Sequence, residues 1–194
     1  MKTTRLACLC GALLALLAPP AFAATLSFAA PAAAVPVGTS FAVDVLVTDA
    51  ADLYAWQFDL GFDPTLVQAS AVLEGDFLSA GGGATSFLPG SIDNLLGTVS
   101  FTASTLTGPG PGATGNGVLA HLSFQALAPG QGALSFSNVV LLDSALGEIS
   151  TTALGSAVSV AAVPEPASAG LMALGLAALA GLAAARRRRL RIDG

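Results

Sequence analysis

The sequence predicts an all-β domain, two sheets packed as a sandwich, preceded by an export leader and followed by a single apolar helix. Three observations carry this. Apolar residues recur at every second position in several short runs, turn residues punctuate those runs, and two uninterrupted apolar stretches stand outside them. No run between residues 24 and 163 repeats its apolar positions with a helical period.

The first apolar stretch is the leader. Lys2 and Arg5 form a basic start, Leu6 to Leu17 an apolar run, and Ala21-Phe22-Ala23 a small-x-small cleavage site, so residues 1–23 are expected to be removed by signal peptidase at Ala21 and Ala23. Both cysteines, Cys8 and Cys10, fall inside that segment. They precede most of the apolar run, which argues against acylation, and the exported domain is left without a disulfide. Its stability must come from its core.

Strands follow in order across residues 24–162. Phe41, Val43, Val45 and Val47 alternate with small or polar residues. Tyr54, Trp56, Phe58, Leu60 and Phe62 do the same and give one aromatic face. Val99, Phe101 and Ala103 form a third run, Val118, Ala120, Leu122 and Phe124 a fourth, and Leu134 and Phe136 a fifth that continues into Val139 to Leu142. Between them lie Val37-Gly38, Asp63-Pro64, Gly81-Gly82-Gly83, Pro89-Gly90, residues 108–117 and Pro129-Gly130, all turn chemistry. Short strands with one apolar face each are expected to pack as two sheets face to face.

The chain ends in a different idiom. Val163-Pro164-Glu165-Pro166 stands before nineteen uncharged residues, Ala167 to Ala185, and then Arg186, Arg187, Arg188, Arg189 and Arg191. As a helix, residues 167–185 would rise about 28 Å, close to the hydrocarbon thickness of a bilayer. The arginines are expected to stay on the cytoplasmic side, which places everything before the helix outside. Prolines at 164 and 166 hold the preceding segment extended, a shape that a protease can grip. Over residues 163–191 this order of proline-glutamate-proline, apolar helix and arginine cluster resembles the PEP-CTERM sorting signal of Gram-negative bacteria. The resemblance implies processing near the motif by the membrane enzyme exosortase, after residence in the inner membrane, and delivery to the outer surface or extracellular matrix.

Charge narrows the function further. Residues 24–163 hold ten acids (Asp44, Asp49, Asp52, Asp59, Asp63, Glu74, Asp76, Asp93, Asp143, Glu148) and no lysine or arginine, a formal charge of −10 against −5 for the whole chain. A base-free surface excludes nucleic acid and anionic lipid as partners held by charge. With His121 as the only histidine and no cysteine in the domain, neither a Ser–His–acid triad nor a zinc site has support, and His121 is expected half-exposed on the strand face shared with Ser123 and Gln125. Asp63 is read as a turn residue, and Asp49 and Asp52 as loop acids with at most a calcium role. Gly110-Pro111-Gly112-Ala113-Thr114-Gly115 fits G-x-G-x-x-G, but a strand pattern follows it, not the helix a dinucleotide needs. Tyr54 and Trp56 are expected in the core; their exposure would instead suggest a sugar-stacking platform. No catalytic residue, metal or cofactor is expected.

Several segments resemble the cohesin domain family across residues 26–160. They are Val37-Gly38-Thr39-Ser40-Phe41 with its following Val-x-Val, the stretch from Trp56 through Asp63-Pro64 to Val67, Gly75 with Phe77, and Gly117-Val118-Leu119-Ala120-His121-Leu122-Ser123-Phe124. Cohesins are jelly-roll sandwiches related in fold to carbohydrate-binding modules, and their best-known partners are dockerins. The resemblance implies a non-enzymatic binding or structural module, with a dockerin-like module or a polysaccharide as partner. The chain itself has no Asp-x-Asp-x-Asp-Gly run, and no catalytic domain is expected in it.

Overall fold

The computed structural model describes residues 23–163 and, beyond them, residues 171–172 and 174–181, which are helical and fall inside the expected 167–185 span. The rest of the leader, Pro164 to Pro166 and the arginine cluster lie outside the described residues. Among the described residues no helix is long and apolar enough to cross a membrane. The chain divides after Ala161 into two units, and the first contains every strand among the described residues.

In chain order the strands are β1 (Ala24–Ala29), β2 (Val35–Pro36), β3 (Ser40–Gly61), β4 (Val67–Glu74), β5 (Ala84–Leu88), β6 (Ser91–Asp93), β7 (Thr98–Thr107), β8 (Ala113–Ala126), β9 (Gly130–Asp143), β10 (Thr151–Ala153) and β11 (Ser156–Ala161). The 22-residue β3 serves both sheets. Its first half lies between β1 and β8, in the order β4-β8-β3-β1-β10, and its second half lies between β7 and β9, in a sheet continued by β5 and β6 on one side and β11 and β2 on the other.

The change of sheet happens at residues 49–52. Asp49 and Asp52 take left-handed conformations with φ of 56° and 58°, which short polar side chains tolerate better than bulky ones. The Asp49 amide donates to Asn116 Oδ1 at 2.8 Å and the Asp52 amide to Thr114 Oγ1 at 3.0 Å, so side chains of β8 replace the ladder where β3 bends. These two acids, expected in a solvated loop, instead form the corner of a continuous strand.

The predicted alternation places the core. Val43, Val45 and Val47 of β3's first half are buried, as are Trp56, Phe58, Leu60 and Phe62 further along. Trp56 is only 2% exposed and stacks on Phe58, so it is core and no platform. Tyr54 is half-buried at the corner, its hydroxyl donating to the Gly108 carbonyl at 2.6 Å, while Leu53 takes the buried place. The sheets meet through Phe28 of β1 stacked on Phe136 of β9 at 4.0 Å, and through Phe62 edge-on to Phe124 of β8. Each fully buried phenylalanine contributes about 1.5–3 kcal/mol over exposure.

Strands β7, β9 and β8 each depart from the expected alternation through one extra residue. On β7, Phe58 faces Thr102 and Leu60 faces Val99, so Ser100 and Phe101 oppose Asp59 alone. Phe101 takes φ of 59° and is 55% exposed; Thr102 and Ser104 are buried, and Ala103 faces out. The expected inward set Val99-Phe101-Ala103 therefore holds only at Val99. On β9 a second bulge at Asn138 (φ 50°) moves the buried phase from Leu134 to Leu141. On β8 the partners jump from Ala120 to Val118, which buries Leu119 and leaves Val118 half-buried, contrary to the expected alternation. Gly75 is required there, because a Cβ would overlap the Val118 carbonyl.

Candidate binding face

The two outward faces of the sandwich differ in chemistry. On the sheet of β5, β7, β3 and β9, strand register aligns Leu88, Ala103, Gln57 and Val140 in one row, and Ser86, Thr105, Ala55 and Leu142 in the next. These eight positions hold no charge and border a shallow depression of about 230 Å³. Leu88 and Val140 are exposed, and the Gln57 amide at the centre has no partner among the described residues.

Asp59 shapes this face. Its carboxylate accepts the Phe101 amide and the Asn138 side-chain amide, both at 2.6 Å, and so ties together the bulges of the two strands that flank β3. Each bulge residue is left-handed, and one carboxylate serves both. The Asp59 charge is spent on backbone geometry.

Five other acids are engaged similarly. Asp63 accepts the Thr65 hydroxyl at 2.6 Å and the Thr65 amide at 2.9 Å, and these bonds, the hydroxyl's first, hold its pKa below the usual aspartate value. The Asp-Pro turn reading of Asp63 agrees with this. Asp52 is lowered by the Ser144 hydroxyl and then by the Gly112 amide. Asp93 accepts the amides of Leu95 and Leu96, and Asp143 those of Ala145 and Gly147. Glu74 accepts from Ser104 and Thr85, linking β4 of one sheet to β7 and β5 of the other. Among the described residues no group of three or more His, Cys, Asp or Glu is placed to hold a metal ion.

His121 pairs across strands with Asp44, Nδ1 to Oδ1 at 2.7 Å, both accessible on the outward face of the other sheet. That places it where the alternation predicts. The Gly110 to Gly115 segment leads into β8 with no helix behind it.

At the corner end of the domain lies a larger cleft of about 740 Å³, walled by Tyr54, Leu106 and the glycine runs of residues 81–83 and 108–112, with Phe77 and Leu78 beneath. Its lining is uncharged. Sequence reasoning missed both concavities, because the neutral residues that line them are brought together only by strand register and turns. The legible signal was the small or polar set Ala55 and Gln57 alternating with the aromatic one.

Residues 26–160 match the family model described as cohesin domain, and residues 162–189 match the model of the PEP-CTERM protein-sorting motif. No curated protein matches the chain. Among solved structures, a non-cellulosomal cohesin from the hyperthermophilic archaeon Archaeoglobus fulgidus is similar at 14% identity and a TM-score of 0.56, covering 77% of this chain and 97% of its own. The second type II cohesin module of the ScaA scaffoldin of Acetivibrio cellulolyticus is similar at 16% identity and a TM-score of 0.58, over 73% of this chain and 98% of its own. A type I cohesin–dockerin complex from Clostridium thermocellum contains a chain similar at 14% identity and a TM-score of 0.56, over 72% of this chain and 100% of that one.

Proposed function

We propose that this chain, which belongs to the cohesin domain family, is an exported, non-enzymatic protein-binding module that holds a dockerin-type partner on the outward face of β5, β7, β3 and β9. The observation that carries this reading is the aligned row Leu88-Ala103-Gln57-Val140. A flat, uncharged patch with exposed aliphatic side chains and one central amide suits an apolar helix face that brings a few hydrogen bonds. Solved relatives bound to dockerins support the class of partner. Capture of dockerin modules by residues 24–163, repeated with Val140→Arg, tests it. The reading requires capture by the native face and its loss in the variant; silence across a dockerin panel would sink it.

The route to the surface follows from the other matched segment. Val163, Pro164, Glu165 and Pro166 are assigned as the recognition element of an exosortase-type enzyme, residues 167–185 as the membrane span, and Arg186 to Arg189 with Arg191 as the orientation lock. Signal peptidase would act after Ala23, and the processed protein would reach the surface or matrix of a Gram-negative cell. Mass spectrometry of the surface form should show an N-terminus near Ala24 and a C-terminus within residues 163–167. An intact arginine tail on that form would refute processing.

A second reading is favoured by the cleft at the corner end. Its uncharged lining, with the Tyr54 ring fixed by its hydroxyl, suits a neutral polysaccharide segment. A glycan array with wild type and Tyr54→Ala separates this from the protein-binding reading, which predicts no signal.

A further inference from the structure

We infer that the end of the sandwich from which the chain leaves toward its C-terminus is a lipid-contact surface, with Leu95, Leu96 and Leu127 resting in the headgroup region of the membrane that anchors the protein. The inference rests on the reading of residues 167–185 as a span.

A run of contacts defines this end. Gly97 accepts the Phe62 amide at 2.8 Å and packs against Pro64; Leu127 donates to the Leu66 carbonyl at 2.8 Å; Gly38 donates to Ala126 at 2.8 Å; and Val37 donates to Ala161, the last strand residue, at 3.0 Å. The β6–β7 turn therefore shares an end with the chain's exit from β11.

That turn is built in reverse of an ordinary solvent-facing tip. Asp93 Oδ1 accepts the amides of Leu95 and Leu96, and the Asn94 side chain accepts from the Ala69 amide at 2.8 Å and donates to the Ala69 carbonyl at 3.0 Å, completing the ladder at the edge of β4. Both polar side chains are consumed by backbone. The two leucines are what the turn displays, at 92% and 74% exposure, and Leu127 is also exposed at this end. A turn held by four such hydrogen bonds presents these leucines in one place.

Chain length names the occupant. Only residues 162–166 separate Ala161 from the apolar stretch, a reach of roughly 20 Å when extended, so a membrane entered at residue 167 lies within that distance of this end. Three leucines at an interface make a weak anchor by themselves, and the domain has no base to draw it to anionic lipid. Contact would hold while the helix keeps the leucines at high effective concentration, and lapse once the tail is cut. Processing would then release the domain without a separate desorption step.

The test uses the full chain after leader removal, which has no cysteine, reconstituted in phosphatidylcholine vesicles and spin-labelled at Leu95→Cys or, at the opposite end, Ala80→Cys. Flotation with the vesicles reports the span. The label at 95 should be several-fold more accessible to oxygen than to a nickel chelate, the label at 80 the reverse, and a Leu96→Ser/Leu127→Ser background should reduce the contrast. Vesicle flotation with both labels equally open to the chelate overturns the lipid contact alone, as does protection seen in native membranes but not in pure lipid, which would point to a protein occupant. Failure to float overturns the span and the contact together.

Discussion

The two outward faces of the sandwich are built from the same strand and carry opposite chemistry. On the sheet of β4, β8, β3 and β1 the rows read Gln68-Gln125-Ser40, Ala71-Ser123-Ala42 and Leu73-His121-Asp44, and they bond to themselves: Gln68 to Gln125 at 2.8 Å, Ser70 to the Ser123 carbonyl at 3.1 Å, His121 to Asp44 at 2.7 Å. On the other sheet the corresponding rows are aliphatic or small, with the central amide unpaired among the described residues. A face whose polar groups are already satisfied offers a partner little, since any bond gained replaces one lost. The neutral face gives up only water.

Breaking the scaffold of the neutral face should have the largest effect. Asp59→Ala leaves two bulges without their common acceptor, and a loss of about 2–4 kcal/mol in urea denaturation is expected, with Asp59→Asn intermediate. A neutral result would mean that the bulges are fixed by their strands alone. Next, Val140→Arg or Leu88→Arg should weaken partner binding at least about tenfold, near 1.4 kcal/mol, while the midpoint of thermal unfolding stays unchanged. The same charge at Ser123, on the self-bonded face, should leave binding intact; equal losses at both sites would erase the contrast.

Acid should act through the turns. Asp52 and Asp63 have pKa values lowered by the hydroxyl and amide donors they accept, so their contribution to stability is complete above the ordinary value of 3.8 and is lost as pH falls through the lowered folded-state values. Thermal melts below about pH 4 should flatten in Asp63→Asn relative to wild type. An unchanged slope would assign acid sensitivity to other carboxylates. The smallest effect belongs to the self-bonded face: Gln125→Ala or His121→Ala is expected to cost no more than about 1 kcal/mol, because the pairs are accessible to water.

Much of the fold is legible because burial in a two-layer sandwich obeys a period of two. Val43, Val45, Phe58, Leu60, Leu122 and Phe124 are all placed by alternation alone. Legibility fails where one residue is inserted. Phe101 reads as core and is exposed, Thr102 and Ser104 read as surface and are buried, and Leu119 displaces Val118, since a bulge reverses parity for everything beyond it. Asp49 and Asp52 read as a loop for a related reason, because a strand that bends between sheets needs left-handed residues that mimic turn composition. The candidate binding face was less legible than the core. Ala55, Gln57, Ala103 and Val140 have no common pattern along the chain, and become neighbours only through the register of four strands.

By itself the sequence determined that the domain is all-β, that it carries ten acids, one histidine and no lysine, arginine or cysteine, and that a PEP-CTERM sorting motif follows it. These are properties of composition and local order, which survive without coordinates. Tertiary structure decided which acids are free and which are tied to backbone, which face is neutral, and which leucines share an end with the departing chain. Those depend on hydrogen bonds between residues tens of positions apart, 42 for Asp59 with Phe101 and 79 for Asp59 with Asn138, and local sequence carries no record of such separations.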